Sequence, residues 1–268
     1  MMNVLARGVS LHFHSHDADS SEPYGPPRVE YTHVIPSTAT SETDFVVRLV
    51  LGPETLHFNL SMSFRDEDYR RLFSLPEVEN EPSRWIFEYE HPNRNLQYLK
   101  TPWSYKSINT MLVVFVDGAC VNNGRQNARG GYGVYFGSNS EYNVSSLLKP
   151  DTPQISQRAE LIACLVALNQ IERVAQDVTF TPPLKGVLIT TDSAYLVNSM
   201  TKYIYKWREN GYTAATGSPV VNRDLFHKID RKLDAMEFGR QQIPVLFWKV
   251  DRSDNEDADE LAKDAVYS

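Results

Sequence analysis

Met111-Leu-Val-Val-Phe-Val116 is a continuous apolar run that stops at Asp117. Such a run fits a central strand buried on both faces better than the alternation of a half-exposed strand. Working outward, Gly131-Tyr-Gly-Val-Tyr-Phe136 predicts a second strand after a glycine-rich turn, and Glu141 to Leu148 a third. Gln157 to Val174 predicts a helix, because Ala159, Ile162, Ala163, Val166 and Ile171 recur at three- and four-residue steps. Val187-Leu-Ile-Thr-Thr191 predicts a strand ending at Asp192. An amphipathic helix follows over Leu225 to Met236, then a strand over Val245 to Val250, then a helix from about Asn255. Three strands followed by alternating helices and strands predict an α/β domain over 109–268. Its mixed five-stranded sheet is expected to carry helices on both faces.

The other half reads differently. Residues 15–45 are rich in Ser, Pro, Thr and His without sustained periodicity, as expected of a loop or partly disordered segment. Phe45-Val-Val-Arg-Leu-Val-Leu51, a Gly-Pro turn and Thr55 to Phe64 predict a β-hairpin, with Leu56, Phe58, Leu60 and Met62 on one face. Ser83 to Tyr89 adds a candidate strand, and the Pro-, Asn- and Ser-rich residues 91–108 read as a linker. Residues 1–108 are therefore expected to form a separate, mainly β region. Leu11-His-Phe-His-Ser-His16 could present three imidazoles on one strand face, but exposed histidines in a polar segment are the plainer reading.

Charge narrows the function. The 268 residues carry a net charge of -7, which opposes a strong non-specific grip on a polyanion. Residues 1–110 hold 10 basic and 15 acidic residues, while residues 111–268 hold 17 and 19. Because the second half also contains the acids discussed below, its remaining surface is mildly basic in places. Two cysteines, Cys120 and Cys164, are too few for a disulfide framework and fit a reduced, intracellular setting. No apolar run approaches the roughly 20 residues that span a bilayer, so no membrane partner is expected. The N-terminus makes a poor secretory or transit signal.

Four acids stand at chemically suggestive places. Asp117 and Asp192 close predicted strands, at the edge where open α/β sheets bind ligands. Glu160 and Asp259 lie early in predicted helices, where the macrodipole favours an anion. Taken singly, each reads as an ordinary loop or helix cap. Converging, four carboxylates would repel one another unless cations neutralised them, and oxygen-rich sites suit Mg²⁺ or Mn²⁺.

The sequence around these acids carries a further signal. Asp117-Gly-Ala-Cys-Val-Asn-Asn-Gly-Arg125 is followed by Ala128-Arg-Gly-Gly-Tyr-Gly-Val134, Ser156-Gln-Arg-Ala-Glu-Leu161 and Thr191-Asp-Ser-Ala-Tyr-Leu-Val-Asn198. Trp207-Arg-Glu-Asn-Gly211, Pro219-Val-Val-Asn-Arg-Asp-Leu225 and Asn255-Glu-Asp-Ala-Asp-Glu-Leu-Ala262 complete the series. In order and spacing, this series resembles the type 1 ribonuclease H family over about residues 111–268. The resemblance implies a ribonuclease H-like fold and an endonuclease that cuts the RNA strand of RNA–DNA hybrids. It implies two Mg²⁺ ions, with Mn²⁺ as a substitute, held by Asp117, Glu160, Asp192 and Asp259, and 5′-phosphomonoester products. Cys120, Asn123 and Gln157 match positions that contact the RNA strand in the minor groove, where 2′-hydroxyls face outward. Trp207 and Asn222 match positions that hold the DNA strand, the first by its ring and the second at a phosphate. Their plainer readings are a core aromatic and a helix cap.

The chain also departs from the family pattern. Arg252 stands where many members carry a histidine in the loop before Asp259, and an arginine cannot shuttle protons near neutral pH. Ile155-Ser156 replaces a frequent Thr-Asn, and Ile155 has no side-chain donor for phosphate. Tyr203 replaces a second Trp and keeps an aromatic face for stacking. Tyr212 to Val221 lacks the lysines that often make this loop basic, which predicts fewer phosphate contacts. Residues 1–110 do not resemble a hybrid-binding module. The alternatives are therefore a catalytically weak or inactive nucleic-acid-binding module, and a related nuclease acting on DNA.

Overall fold

The computed structural model describes the backbone of strand segments within residues 1–58. It then describes residues 71–73, 86–89, 95–99, 111–177, 184–240 and 242–268. The chain divides into two compact units, Met1–Arg70 and Arg71–Ser268. In the first, β1 (Val4–Ala6) and β2 (Val9–Leu11) pair antiparallel. The strands β3 (Arg28–His33), β4 (Phe45–Leu51) and β5 (Glu54–Phe58) form an antiparallel three-stranded sheet. The hairpin expected from residue 45 onward is β4 and β5, with Val47 opposite Phe58 and Leu49 opposite Leu56. β3 corrects the reading of residues 15–45 as loop throughout. Val29 and Tyr31 alternate with Glu30 and Thr32, and the ladder with β4 supplies backbone bonds that composition alone did not reveal. His12, His14 and His16 lie outside the described residues.

The second unit carries β6 (Leu72–Phe73), β7 (Ile86–Tyr89), β8 (Leu96–Leu99), β9 (Met111–Val121), β10 (Arg129–Tyr135) and β11 (Val144–Leu147). After α1 (Ser156–Gln176) and β12 (Gly186–Thr191), α2 (Ala194–Asn198) runs through a π-helical turn at Ser199–Tyr203 into α3 (Ile204–Glu209). Then come α4 (Arg223–Phe238), β13 (Val245–Lys249), a 3₁₀ turn at Arg252–Asp254 and α5 (Glu256–Tyr267). The five strands expected from sequence stand in the order β11-β10-β9-β12-β13, with β12 parallel to both neighbours and β10 antiparallel.

Three more strands enlarge this sheet from the N-terminal side of the expected 108/109 boundary. β6 pairs with the far edge of β13. β8 pairs with β9 at Leu112 and Val113, beside the end of β10, where the Gln97 amide donates to the Phe136 carbonyl at 2.8 Å. β7 pairs with β8. Leu96 is fully buried, so part of the expected linker is core.

The apolar runs read from sequence are the buried ones. Residues 112–116 of β9 and all of β12 are buried. Leu112, Val114 and Val116 cluster with Leu161, Leu168 and Ile171 of α1 and Phe226, Ile229 and Leu233 of α4. Each such side chain contributes about 2 kcal/mol. β9 does not stop at Asp117, however. It continues through Val121 because β10 pairs with it from Phe115 to Val121 after β12 has ended its pairing at Phe115. No described helix is long and apolar enough to cross a membrane.

Candidate active site

Two glycines and one register bring the four acids together. The parallel ladder couples Thr190 to Phe115, and continuing it two residues sets Asp192 level with Asp117. On one face of β9, a side chain at Gly118 would have its Cβ 2.3 Å from the Glu160 amide nitrogen and 2.6 Å from the Ala159 carbonyl carbon. Only a residue without Cβ lets the Glu160 turn of α1 lie against the strand. On the other face, Gly133 pairs with Asp117, and a Cβ there would meet the Ala258 carbonyl oxygen at 2.2 Å and the Ala262 nitrogen at 2.7 Å. That clearance seats the Asp259 turn of α5. Successive strand residues face opposite ways, so α1 and α5 cover opposite faces.

Asp117, Glu160, Asp192 and Asp259 all line one cavity of about 430 Å³, together with Cys120, Ser156, Ser193, Arg252 and Lys263. Each acid has its own partner. The Ser193 hydroxyl donates to Glu160 Oε2 at 2.6 Å and also accepts from the Leu196 amide at 3.1 Å, so one oxygen holds Glu160 and caps α2. Asn255 Nδ2 donates to Asp192 Oδ1 at 3.1 Å and to the Val116 carbonyl at 3.2 Å. Asn255 is 1% exposed, and its Oδ1 is buried without a hydrogen-bond partner. Arg252 pairs with Asp259 Oδ1 at 3.3 Å, and Lys263 pairs with Asp259 Oδ2. Asp117 is 8% exposed, and its carboxyl accepts a hydrogen bond from the Gly118 backbone.

The electrostatics follow. Burial, then the charge of Asp192, then Asp259 and Glu160, push the Asp117 carboxyl up to about 7, against the Gly118 hydrogen bond. Burial also raises Glu160, with Asp192 adding to it and Ser193 opposing. The hydrogen bond to Asp259 holds the Lys263 ammonium above its ordinary value. Two neighbouring carboxyls that ionise this reluctantly, Asp117 and Glu160, are donors a hard divalent cation satisfies. Among the described residues, no three His, Cys, Asp or Glu side chains already stand as a ready cage for one ion. In their place the acids meet Ser193, Asn255, Arg252 and Lys263. In the chemistry of their oxygen donors, the four residues fit Mg²⁺ or Mn²⁺.

The remaining predicted residues fall into two groups. Cys120 lines the cavity, its thiol donating to the Gln154 carbonyl at 3.3 Å. Asn123 is exposed at the rim and donates from Nδ2 to Ser156 Oγ at 3.4 Å. Gln157 is exposed at the start of α1. Tyr203, Trp207 and Asn222 stand apart from the cavity on an aromatic strip. Ring centroids run Tyr203–Trp207 at 5.8 Å, Trp207–Phe226 at 4.8 Å and Phe226–Tyr195 at 5.9 Å. Asn222 ends the strip in a left-handed conformation, φ 60°, donating to the Tyr195 hydroxyl at 3.4 Å. Its Oδ1 accepts from Arg158 at 3.2 Å, and Arg158 also clamps Asp224 at 2.7 Å. Trp207 is half-buried and Tyr203 45% exposed.

Sequence reasoning missed Ser193, Asn255, Lys263 and Arg158 as partners. Lys263 carried a signal, since it lies one turn after Asp259 on the same helix face.

A mixed sheet with helices on both faces and an acid-lined cavity between β9, β12, α1 and α5 defines the class of domain. Residues 109–267 match the RNase H family model, and the chain belongs to the ribonuclease H family. Ribonuclease H1 of Rattus norvegicus is 33% identical over 155 residues, 58% of this chain and 50% of that protein. Ribonuclease H of Crithidia fasciculata is 38% identical over 141 residues, covering 46% and 28%. Ribonuclease H of Afipia carboxidovorans is 32% identical over 158 residues, covering 58% and 92%. The chain spans about half the length of the mammalian relatives it matches. Among solved structures, LC11-RNase H1, isolated from compost by a metagenomic approach, is 19% identical with a TM-score of 0.42, covering 59% of this chain and 96% of that one.

Proposed function

We propose that the domain hydrolyses the RNA strand of RNA–DNA hybrids, as an endonuclease leaving 5′-phosphomonoesters. The observation carrying this reading is that Asp117, Glu160, Asp192 and Asp259, from four separate elements, line one cavity. These four residues would hold two divalent ions, Mg²⁺ or Mn²⁺. When bound, such ions supply charge stabilisation at the phosphodiester and an activated water for in-line displacement.

The chain's own residues do the positioning. Ser193 and Asn255 are neutral donors, so each fixes one oxygen of Glu160 and Asp192 while leaving the other lone pairs available. Asp117, buried and held by the Gly118 backbone, is the acid most in need of a cation. Cys120, Asn123 and Gln157 lie on or beside the cavity rim, where the 2′-hydroxyls and base edges of an A-like minor groove would meet them. The strip from Tyr203 through Trp207 to Asn222 offers a stacking face and an amide for the DNA strand. With an acidic net charge and no lysine from Tyr212 to Val221, affinity for the hybrid is modest and its salt slope shallow.

The test is cleavage of a labelled RNA–DNA hybrid in Mg²⁺ or Mn²⁺, beside Asp117→Asn. If the wild type cuts no better than the variant, the reading fails. A second reading is a catalytically weak binding module, and the two cations on Asp259 favour it. It predicts a hybrid shift in gels with no cleavage, even in Mn²⁺.

A further inference from the structure

The partners of the four acids are not equivalent. Glu160 and Asp192 are held by a hydroxyl and an amide, which carry no net charge. Such donors coexist with a cation on the same carboxylate. Asp259 is different, because both its oxygens are engaged by full positive charges, Arg252 on Oδ1 and Lys263 on Oδ2. A divalent ion approaching those oxygens meets two like charges at contact distance and must displace them.

Both cations are free to leave. The side chain of Arg252 is 75% exposed and that of Lys263 50% exposed, while that of Asp259 is only 15% exposed. Arg252 comes from the 3₁₀ turn before α5 and Lys263 from the next turn of α5 itself, so neither is locked by packing. The carboxylate stays in place and its counter-ions are the mobile part.

We propose that Arg252 and Lys263 form a built-in cationic latch on Asp259, which competes with the divalent ion that depends on this carboxylate. The inference rests on the reading of the four acids as an ion site. The latch neutralises one acid of the resting cluster and makes occupancy at Asp259 the weaker of two binding steps. The ion held by Asp117, Glu160 and Asp192 meets no such competitor.

Mn²⁺ binding to the full chain, followed by the electron paramagnetic resonance signal of the free ion, tests this without reference to turnover. The wild type is expected to take up one tighter and one weaker ion. Arg252→Gln and Lys263→Gln should each tighten the weaker step by about threefold, the size of an exposed ion pair, and together by about tenfold. Placed on an Asp259→Asn background, the same substitutions should tighten nothing, because the coupling runs through that carboxylate. An unchanged weaker constant in the double variant overturns the latch while leaving the ion site standing. Tightening that persists with Asp259→Asn also overturns it, since a general field effect then suffices. If neither the wild type nor the double variant takes up Mn²⁺, the ion site fails and the latch falls with it. Both substituted side chains are exposed, and circular dichroism checks that the fold is retained.

Discussion

Replacing Asp117 with Asn should stabilise the metal-free protein at alkaline pH and do little at acid pH. Asp117 is 8% exposed, with its carboxyl pushed from 3.8 up to about 7 by burial and by Asp192. A group whose pKa is raised in the fold contributes fully below its unfolded value and loses that contribution as pH rises through the folded one. For Asp117 the window runs from about pH 4 to about pH 7. Roughly three units at 1.36 kcal/mol each put the loss on the order of 4 kcal/mol by pH 8. Asparagine keeps the shape and removes the charge, so the loss disappears. Urea unfolding with EDTA, at pH 4.5 and pH 8 for both proteins, reads the difference. The variant should unfold at a higher urea concentration at pH 8, and Mg²⁺ should narrow the gap by stabilising the wild type alone. A variant that is equally or less stable at pH 8 would refute the claim that burial and the neighbouring acids oppose ionisation of Asp117 in the folded state.

Other consequences are open to measurement. Gly118→Ala forces a Cβ against backbone atoms of Glu160 and Ala159 that cannot swing aside, so its urea midpoint should fall by an amount equivalent to about 1–3 kcal/mol; an unchanged midpoint would show that α1 can retreat. Asn255→Ala removes two hydrogen bonds, one of them to Asp192, and should cost about 1–3 kcal/mol. Hybrid cleavage should slow in this variant while gel-shift affinity holds. Trimming the chain to residues 109–268 strips away buried Leu96, Tyr98 and Leu99 and the 2.6 Å pair between Arg71 and Glu237. Melting temperature should therefore drop well below that of residues 71–268, because each buried side chain is worth about 2 kcal/mol.

The fold of residues 111–268 was legible where burial is written as hydrophobicity. Runs such as Met111–Val116 and Val187–Thr191 are apolar because both faces are covered. The end of β9 was not legible, since Gly118 to Val121 are small or half-exposed residues whose strand state depends on β10 across the ladder. β6 and β8 were hidden for a related reason. They are two and four residues long, and their partners, β13 and β9, lie beyond any local pattern. In the site, the acids announced themselves through the residues around them. Of their partners, Ser193 and Asn255 did not, because they act through the trajectory of a turn that the backbone alone defines.

The π-helical turn at Ser199–Tyr203 sits within one unbroken helical rod from Ala194 to Glu209. One end is capped by the hydroxyl that grips Glu160, and the other bears Trp207. The rod therefore acts as a gauge, setting both the distance and the angular phase between the carboxylates and the aromatic strip. A π turn holds one residue more than the α turn it replaces. Deleting one residue from an α-helical turn between Ser193 and Trp207, with the π turn kept, would turn Trp207 by about 100° and draw it in by about 1.5 Å. A duplex anchored at the strip would then present a different phosphodiester, or none, to the acids.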